Sequence, residues 1–240
     1  MIFGDNDLSE ILKIIRIDKS ITPSINTMEV DVPGKPGTLF QKRKLGIRRI
    51  LVNAEVRDDR KNNISLDDVY RDLSSMLLGN NVPEKLFLPS EPDKYYNAIV
   101  SEISDIETFR NFGVFDCVFV CHDPLAYSEE IIKEEDIDGK DLVNEGTYTS
   151  LGIIEITLET PVDHLKVTLD NTGEYLYLDR SIEEGKTISI DLITEKITEN
   201  DILVTDDLSF ESDFFEIPIG SFRILVNEGT GSLAYRTRWL

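Results

Sequence analysis

The 240-residue chain is strongly acidic, because 25 lysines and arginines stand against 46 aspartates and glutamates, a net charge of −21. Such a chain repels nucleic-acid phosphates, which argues against sequence-specific nucleic-acid binding. The charge is unevenly spread, at −6 over residues 1–130 and −15 over residues 131–240. No apolar run approaches the roughly 20 residues of a membrane-spanning helix, and the first residues do not have the pattern of a signal peptide.

The first half of the chain reads mainly as β-strands, in short runs of β-branched and aromatic residues bounded by Pro, Gly, Asn or Asp. One segment predicts a helix instead. Ser65 can cap it together with Asp68, apolar residues follow at helical spacing, and Gly79 ends it. We therefore predict an N-terminal β-rich domain with one packed helix at about 65–78. The predicted strands are 12–17, 25–32, 46–56, 84–88, 95–103 and 112–120.

A Pro/Gly-rich segment, VPGKPGTLFQKRK at 32–44, separates the second and third of these strands and predicts a projecting loop. Two roles are open for it: a solvated hairpin tip, or an arm that contacts a partner. The assembly arm would consist of Gly34, Lys35, Pro36, Gly37, Thr38, Leu39 and Phe40. A basic contact patch would consist of Lys42, Arg43, Lys44, Arg48 and Arg49.

The charge-dense stretch EEIIKEEDIDGKD at 129–141 predicts a boundary between domains 1–130 and 131–240. Beyond it, turn residues recur every 8–12 residues or so, the spacing of a β-sandwich. Alternation in Leu165, Val167 and Leu169 predicts one buried and one wet face. The strands expected here are 152–158, 164–170, 174–179, 186–192, 221–227 and 232–240.

Residues that carry chemistry are scarce. The chain has only two histidines, and it lacks the GxSxG, Walker A, GxGxxG and HExxH motifs. Cys117 and Cys121 lie four residues apart in one predicted strand, too far to form a disulfide. The two catalytic carboxylates of a glycosidase are recognised by the distance between them, which a sequence does not show, so we assign no residues to such a pair. We assign no catalytic, cofactor-binding or metal-binding residues and expect no cofactor.

Three groups of residues resemble the distal tail protein (Dit) family of long, non-contractile-tailed phages that infect Gram-positive bacteria. These are C-x-DPLAYS at 121–128, N-x-GT-x-x-S at 144–150, and the closing F-x-IP-x-G…RWL. The resemblance implies a structural protein of the virion tail tip, made in the host cytoplasm from a phage or prophage gene. It implies a homo-hexameric ring closed by the N-terminal domains, with galectin-like or carbohydrate-binding-module-like C-terminal sandwiches outside. Its partners would be the tail tube protein, a tail-associated lysin or baseplate protein, and the tape measure protein.

The alternative function is that of a carbohydrate-binding module that contributes to recognition of the host cell wall. Tyr175 and Tyr177 share one strand face, although a tyrosine pair alone is a poor sugar platform. In the ring, the more acidic half is expected to lie away from the interior, where like charges would repel one another. The basic patch would then face an acidic partner or line a passage for DNA.

Overall fold

The computed structural model describes residues 1–58, 65–109 and 111–240. The chain divides into two compact units, Met1–Ala126 with Leu240, and Tyr127–Trp239. Both units are mainly β, and the described residues contain one α-helix, which confirms the predicted fold class. The acidic stretch at 129–141 already belongs to the second unit, because Ile132 pairs with Tyr235 and Ile137 is fully buried.

The first unit is built on one antiparallel sheet in the order β2-β1-β7-β8-β10-β6-β3, with β9 paired to β10. Two further strands, β4 and β5, form a separate two-stranded sheet in the part of the chain that the structure describes. The strands are β1 (Ile2–Phe3), β2 (Asn6–Asp7), β3 (Leu12–Lys19), β4 (Ile25–Asp31), β5 (Thr38–Leu45), β6 (Arg48–Arg57), β7 (Glu84–Leu88), β8 (Glu91–Ile103), β9 (Glu107–Thr108) and β10 (Phe112–Cys121). A single 3-10 turn, Leu8–Glu10, precedes β3.

The core of this unit follows from strand alternation, since every second residue of β6 and β10 is buried. The rings of Phe3 and Phe119 meet edge to face, with centroids 5.2 Å apart. Cys117 and Cys121 lie in the core as free thiols, as predicted, and burial raises the pKa of each to about 12. Thiolates are the reactive form of cysteine, so both thiols are chemically quiet at neutral pH.

The predicted helix is confirmed as α1 (Leu66–Leu78), with Ser65 as its N-cap. The Ser65 hydroxyl accepts a hydrogen bond from the Asp68 backbone N–H and donates one to the Asp68 carboxylate. That carboxylate also pairs with Arg71, and the Ser65 hydrogen bond lowers the pKa of Asp68. The apolar stripe packs inward through Val69, Leu73 and Leu77.

Arg48 corrects the predicted basic contact patch, because it is only 1% exposed and is not available to a partner. It is the first residue of β6 and points to the core side of the sheet. Its Nε donates to the Pro124 carbonyl and its Nη1 to the Ser20 carbonyl, both at 2.8 Å, and its guanidinium lies 5.7 Å from the centre of the Tyr96 ring. Arg48 thus ties the segment after β3 to the segment after β10.

The second unit contains a six-stranded sheet, β12-β22-β14-β17-β18-β19, and a three-stranded sheet, β16-β15-β21. A further pair, β13 with β20, lies apart from both, and β11 pairs with β23. The strands are β11 (Ala126–Ser128), β12 (Ile132–Glu135), β13 (Leu142–Asn144), β14 (Gly152–Thr157), β15 (Leu165–Leu169), β16 (Tyr175–Leu178), β17 (Thr187–Asp191), β18 (Lys196–Glu199), β19 (Ile202–Leu203), β20 (Gly220–Phe222), β21 (Ile224–Val226), β22 (Thr230–Tyr235) and β23 (Arg238–Trp239). A 3-10 turn spans Thr205–Asp207.

The two sheets of this unit face each other across one apolar core, as the alternation predicted. Leu165 and Val167 of β15 are buried there with Ile188 and Ile190 of β17. The residues between them, such as Lys166 and Ser189, lie on the outer faces. The second unit is therefore a β-sandwich.

The N-x-GT-x-x-S residues hold β23, the last strand of the second unit, in place. Asn144 is buried, its amide donates to the Ser150 hydroxyl, and its Oδ1 accepts from the Gly146 backbone N–H. The backbone N–H groups of Thr147 and Tyr148 both donate to the Arg238 carbonyl. A Cβ on Gly146 would collide with that carbonyl oxygen and would stand 2.9 Å from the Thr237 methyl carbon. The motif is a structural clamp.

We predict that Arg48→Ala lowers the free energy of unfolding by about 2–4 kcal/mol, because the buried guanidinium that joins the Ser20 and Pro124 carbonyls is lost. Urea unfolding followed by circular dichroism measures this. Arg49→Ala is the matched control, since its exposed side chain on the same strand contributes within about 0.5 kcal/mol. Equal midpoints for the two variants would contradict the role given to Arg48.

We predict that Gly146→Ala lowers the stability of the sandwich by about 1–3 kcal/mol, because the β13–β14 connection must move away from Arg238. The fluorescence of Trp239, the one tryptophan in the chain, follows its unfolding directly. Glu145→Ala, which changes the exposed neighbour of Gly146, is the control and is expected to leave the midpoint of unfolding unchanged. If Gly146→Ala unfolds at the same midpoint as the wild type, the β13–β14 connection accommodates the added methyl group without loss of stability.

Candidate assembly surface

The predicted arm is the outer end of a two-stranded ribbon formed by β4 and β5. Asp31 pairs with Thr38, so the connecting residues 32–37 form the tip, where Gly34 and Gly37 adopt positive φ angles of 81° and 84°. Glycine occupies this region of φ without steric cost. The sequence placed these residues in one long loop, whereas the structure shows that Thr38–Leu45 is a strand.

The ribbon is exposed on both faces, including its apolar side chains. Val30 and Leu39 are opposite each other, and Leu39 and Phe40 are 58% and 60% exposed. A two-stranded ribbon has no inside in which to bury such residues, and isolated hairpins are at best marginally stable in water. Exposed apolar groups together with open strand edges are typical of a surface that another chain covers.

The base of the ribbon is fixed to the first unit by a short clasp. The Ser24 N–H and hydroxyl both donate to the Ile47 carbonyl at 3.0 Å, and the Gly46 N–H donates to the Ser24 carbonyl at 2.7 Å. A Cβ on Gly46 would collide with the Ser24 hydroxyl and displace it from the Ile47 carbonyl. The clasp defines where the ribbon leaves the sheet.

The predicted basic patch is divided between three environments. Lys42, Arg43 and Lys44 are exposed on β5 of the ribbon. Arg49 is exposed on β6 of the main sheet, and Arg48 is buried beside it as described above. The accessible positive charge therefore lies mainly on the ribbon itself.

An aromatic cluster lies on the outer face of the three-stranded sheet of the second unit. The His164 ring stacks on Tyr177 with centroids 5.0 Å apart, and the Lys166 ammonium lies 4.3 Å from the centre of the Tyr175 ring. The Tyr175 hydroxyl donates to Glu211 at 3.2 Å. Burial and the neighbouring Glu211 carboxylate raise the pKa of Tyr175. Sequence analysis predicted only the two tyrosines of this cluster, because the other groups come from a neighbouring strand and loop.

Neither unit presents the geometry of a reaction centre in the part of the chain that the structure describes. No three His, Cys, Asp or Glu side chains there are placed to hold a metal ion. His122 and His164 are both exposed. Among the same residues, no helix has the length and apolarity needed to cross a membrane.

Comparison with known proteins connects both units to phage tails. Residues 6–121 match the family described as the phage tail protein RIFT-related domain, and residues 145–239 match the C-terminal domain of the siphovirus-type tail component. No curated protein matches the chain.

A solved structure shares the fold of the whole chain. The crystal structure of the Dit protein of SPP1, described as a paradigm of the hub adsorption apparatus in phages infecting Gram-positive bacteria, is similar with a TM-score of 0.83 and 16% identity, over 99% of this chain and 98% of that one. The phage P2 baseplate in its activated conformation with Ca gives a TM-score of 0.45 and 11% identity, over 94% and 90%. The two family matches follow each other along nearly the whole sequence, and the chain belongs to the distal tail protein family of siphoviruses.

Proposed function

We propose that this protein is the structural hub of a siphophage tail tip, a homo-hexameric ring that joins the tail tube to the baseplate or to a tail-associated lysin. The ribbon carries this proposal. It is a long exposed arm with apolar and basic side chains, clasped at its base, and no other strand among the described residues of the first unit pairs with it. The hub described for the similar SPP1 protein supports the same role.

Charge supports assembly through the first unit. Unit 1 carries 16 basic and 20 acidic residues, whereas the second unit carries 9 and 26. Six copies of the second unit facing one another would repel strongly, while six copies of the first unit would repel little. A ring of identical chains needs two different patches that meet on neighbouring copies. The ribbon supplies one of them, and the tube, lysin or baseplate and tape measure proteins would meet the remaining faces.

We predict that the purified protein has a mass near six times 27.3 kDa by light scattering at moderate salt. Deleting residues 34–40 is expected to leave monomers with both units folded, because the tip and part of the apolar surface are removed. The double variant Leu39→Ser, Phe40→Ser is a milder test, and it should also shift the equilibrium from hexamer toward monomer. Val82→Ser, an equally exposed apolar site away from the ribbon, is the control. A wild-type monomer at all concentrations would overturn the hub proposal.

A second candidate function, saccharide binding by the sandwich, rests on the aromatic cluster. Aromatic rings beside hydrogen-bonding groups are the usual composition of a small-ligand surface. Phe210 adds a fully exposed ring on the loop that lies along β16, where the Ser209 and Asp213 N–H groups donate to the Tyr177 and Tyr175 carbonyls. The Lys166 ammonium and the His164 ring each cover one face of a tyrosine, which reduces the area left for a sugar.

The saccharide function predicts measurable binding of cell-wall polysaccharide fragments by calorimetry, weakened about fivefold by Tyr177→Ala, because an aromatic contact contributes about 1 kcal/mol. Tyr70→Ala, in the first unit, should leave binding unchanged. Absence of heat with the wild-type protein would remove this candidate and leave the hub untouched.

A further inference from the structure

The outer face of the main sheet of the first unit contains an open groove of about 550 Å³, lined by Asp18, Lys19, Ser20, Arg49, Leu51, Glu102 and Val118. Its floor is one row of neighbours across four strands. Glu102 of β8 pairs with Val118 of β10, Val118 with Leu51 of β6, and Leu51 with Asp18 of β3. Because these are direct cross-strand partners, their side chains share one face. The floor is therefore apolar in the middle and carboxylate at both ends.

The charges in the groove are only partly satisfied. Asp18 pairs with Arg16 at 2.6 Å, and Lys19 pairs with Glu91 at 2.6 Å. Burial by itself lowers the pKa of Lys19, but its hydrogen bonds to Glu91 and Tyr96 outweigh this and raise it. Within the described residues, Glu102 and Arg49 have no ion-pair partner and remain to meet an incoming chain.

One face of the ribbon has the matching pattern. Register places Val30 opposite Leu39 and Met28 opposite Lys42, with the bulge at Gln41 following that pair. The same face continues to the pair of Asn26 and Lys44. It is apolar toward the tip and basic toward the base, with all of these side chains exposed.

We propose that the groove receives the ribbon of a second copy of this chain, with Met28, Val30 and Leu39 over Leu51 and Val118. This rests on the hub proposal and names the two patches that meet. Lys42 of one copy then faces Glu102 of the next. The contact is heterologous, so each copy receives one ribbon and gives one, and the rotation closes as a ring.

Cross-linking tests the contact directly. Leu39→Cys and Leu51→Cys are made as separate proteins, one carrying a mass tag, then mixed, assembled and oxidised. A disulfide between the two different chains is expected, because it forms only when their Cα atoms come within about 7 Å. The buried native thiols, with pKa values raised to about 12, do not compete. Ile193→Cys, an exposed position in the other unit, replaces Leu51→Cys as the control and should give no specific product.

Charge reversal tests the proposed pairing of Lys42 with Glu102 independently. Glu102→Lys and Lys42→Glu should each reduce the hexamer fraction at fixed concentration at least threefold, and the double variant should recover most of it. Glu107→Lys reverses an exposed acid that does not line the groove and should leave the fraction unchanged. If the wild type forms rings but neither the cross-link nor the rescue occurs, the groove is not the receptor and the hub proposal still holds. If the wild type forms no ring, the hub proposal itself fails.

Discussion

The organisation of this protein follows from one constraint: a two-stranded ribbon cannot bury its own side chains. β4 and β5 expose apolar and charged residues on both faces, and neither strand joins the main sheet. Exposed apolar side chains are unfavourable in water, and the open edges present unpaired backbone N–H and C=O groups to which another chain can bind, so the ribbon gains most when another chain covers it. A ribbon that must reach a second chain also needs a fixed departure point. Ser24, Gly46 and the buried Arg48 provide it, because they hold the segments at its base.

Sequence patterns predicted the parts of the fold whose burial alternates. The sandwich strands follow period two, and α1 follows the helical period between Ser65 and Gly79, so local pattern and global burial agree. The second strand of the ribbon was missed because TLFQKRKL has neither a buried face nor a β-branched run. Its pairing depends on β4, and exposed strands leave no periodic trace. Arg48 was misplaced for a different reason: its burial is made possible by the carbonyls of Ser20 and Pro124, which are remote in sequence.

The two units differ strongly in net charge. The acidic surface of the sandwich favours solubility and repels copies of itself, whereas the nearly balanced first unit can approach another copy at little electrostatic cost. Within that balanced unit, positive charge is concentrated on the exposed ribbon and negative charge at the ends of the groove floor. Long-range repulsion and short-range complementarity therefore favour the same contacts, those made by the first unit.

The residues that identify the family are not the residues proposed to assemble it. Asn144, Gly146 and the Arg238 carbonyl form a clamp in which a side chain at Gly146 would collide with that carbonyl oxygen. The residues of the ribbon and of its groove are less restricted, because a substitution in one can be matched by a complementary substitution in the other. With 16% identity and a TM-score of 0.83, the SPP1 structure shares the fold with few identical residues. Identity of the family can thus be read from backbone constraints, whereas the assembly surface is found only from side-chain exposure and register in the folded chain.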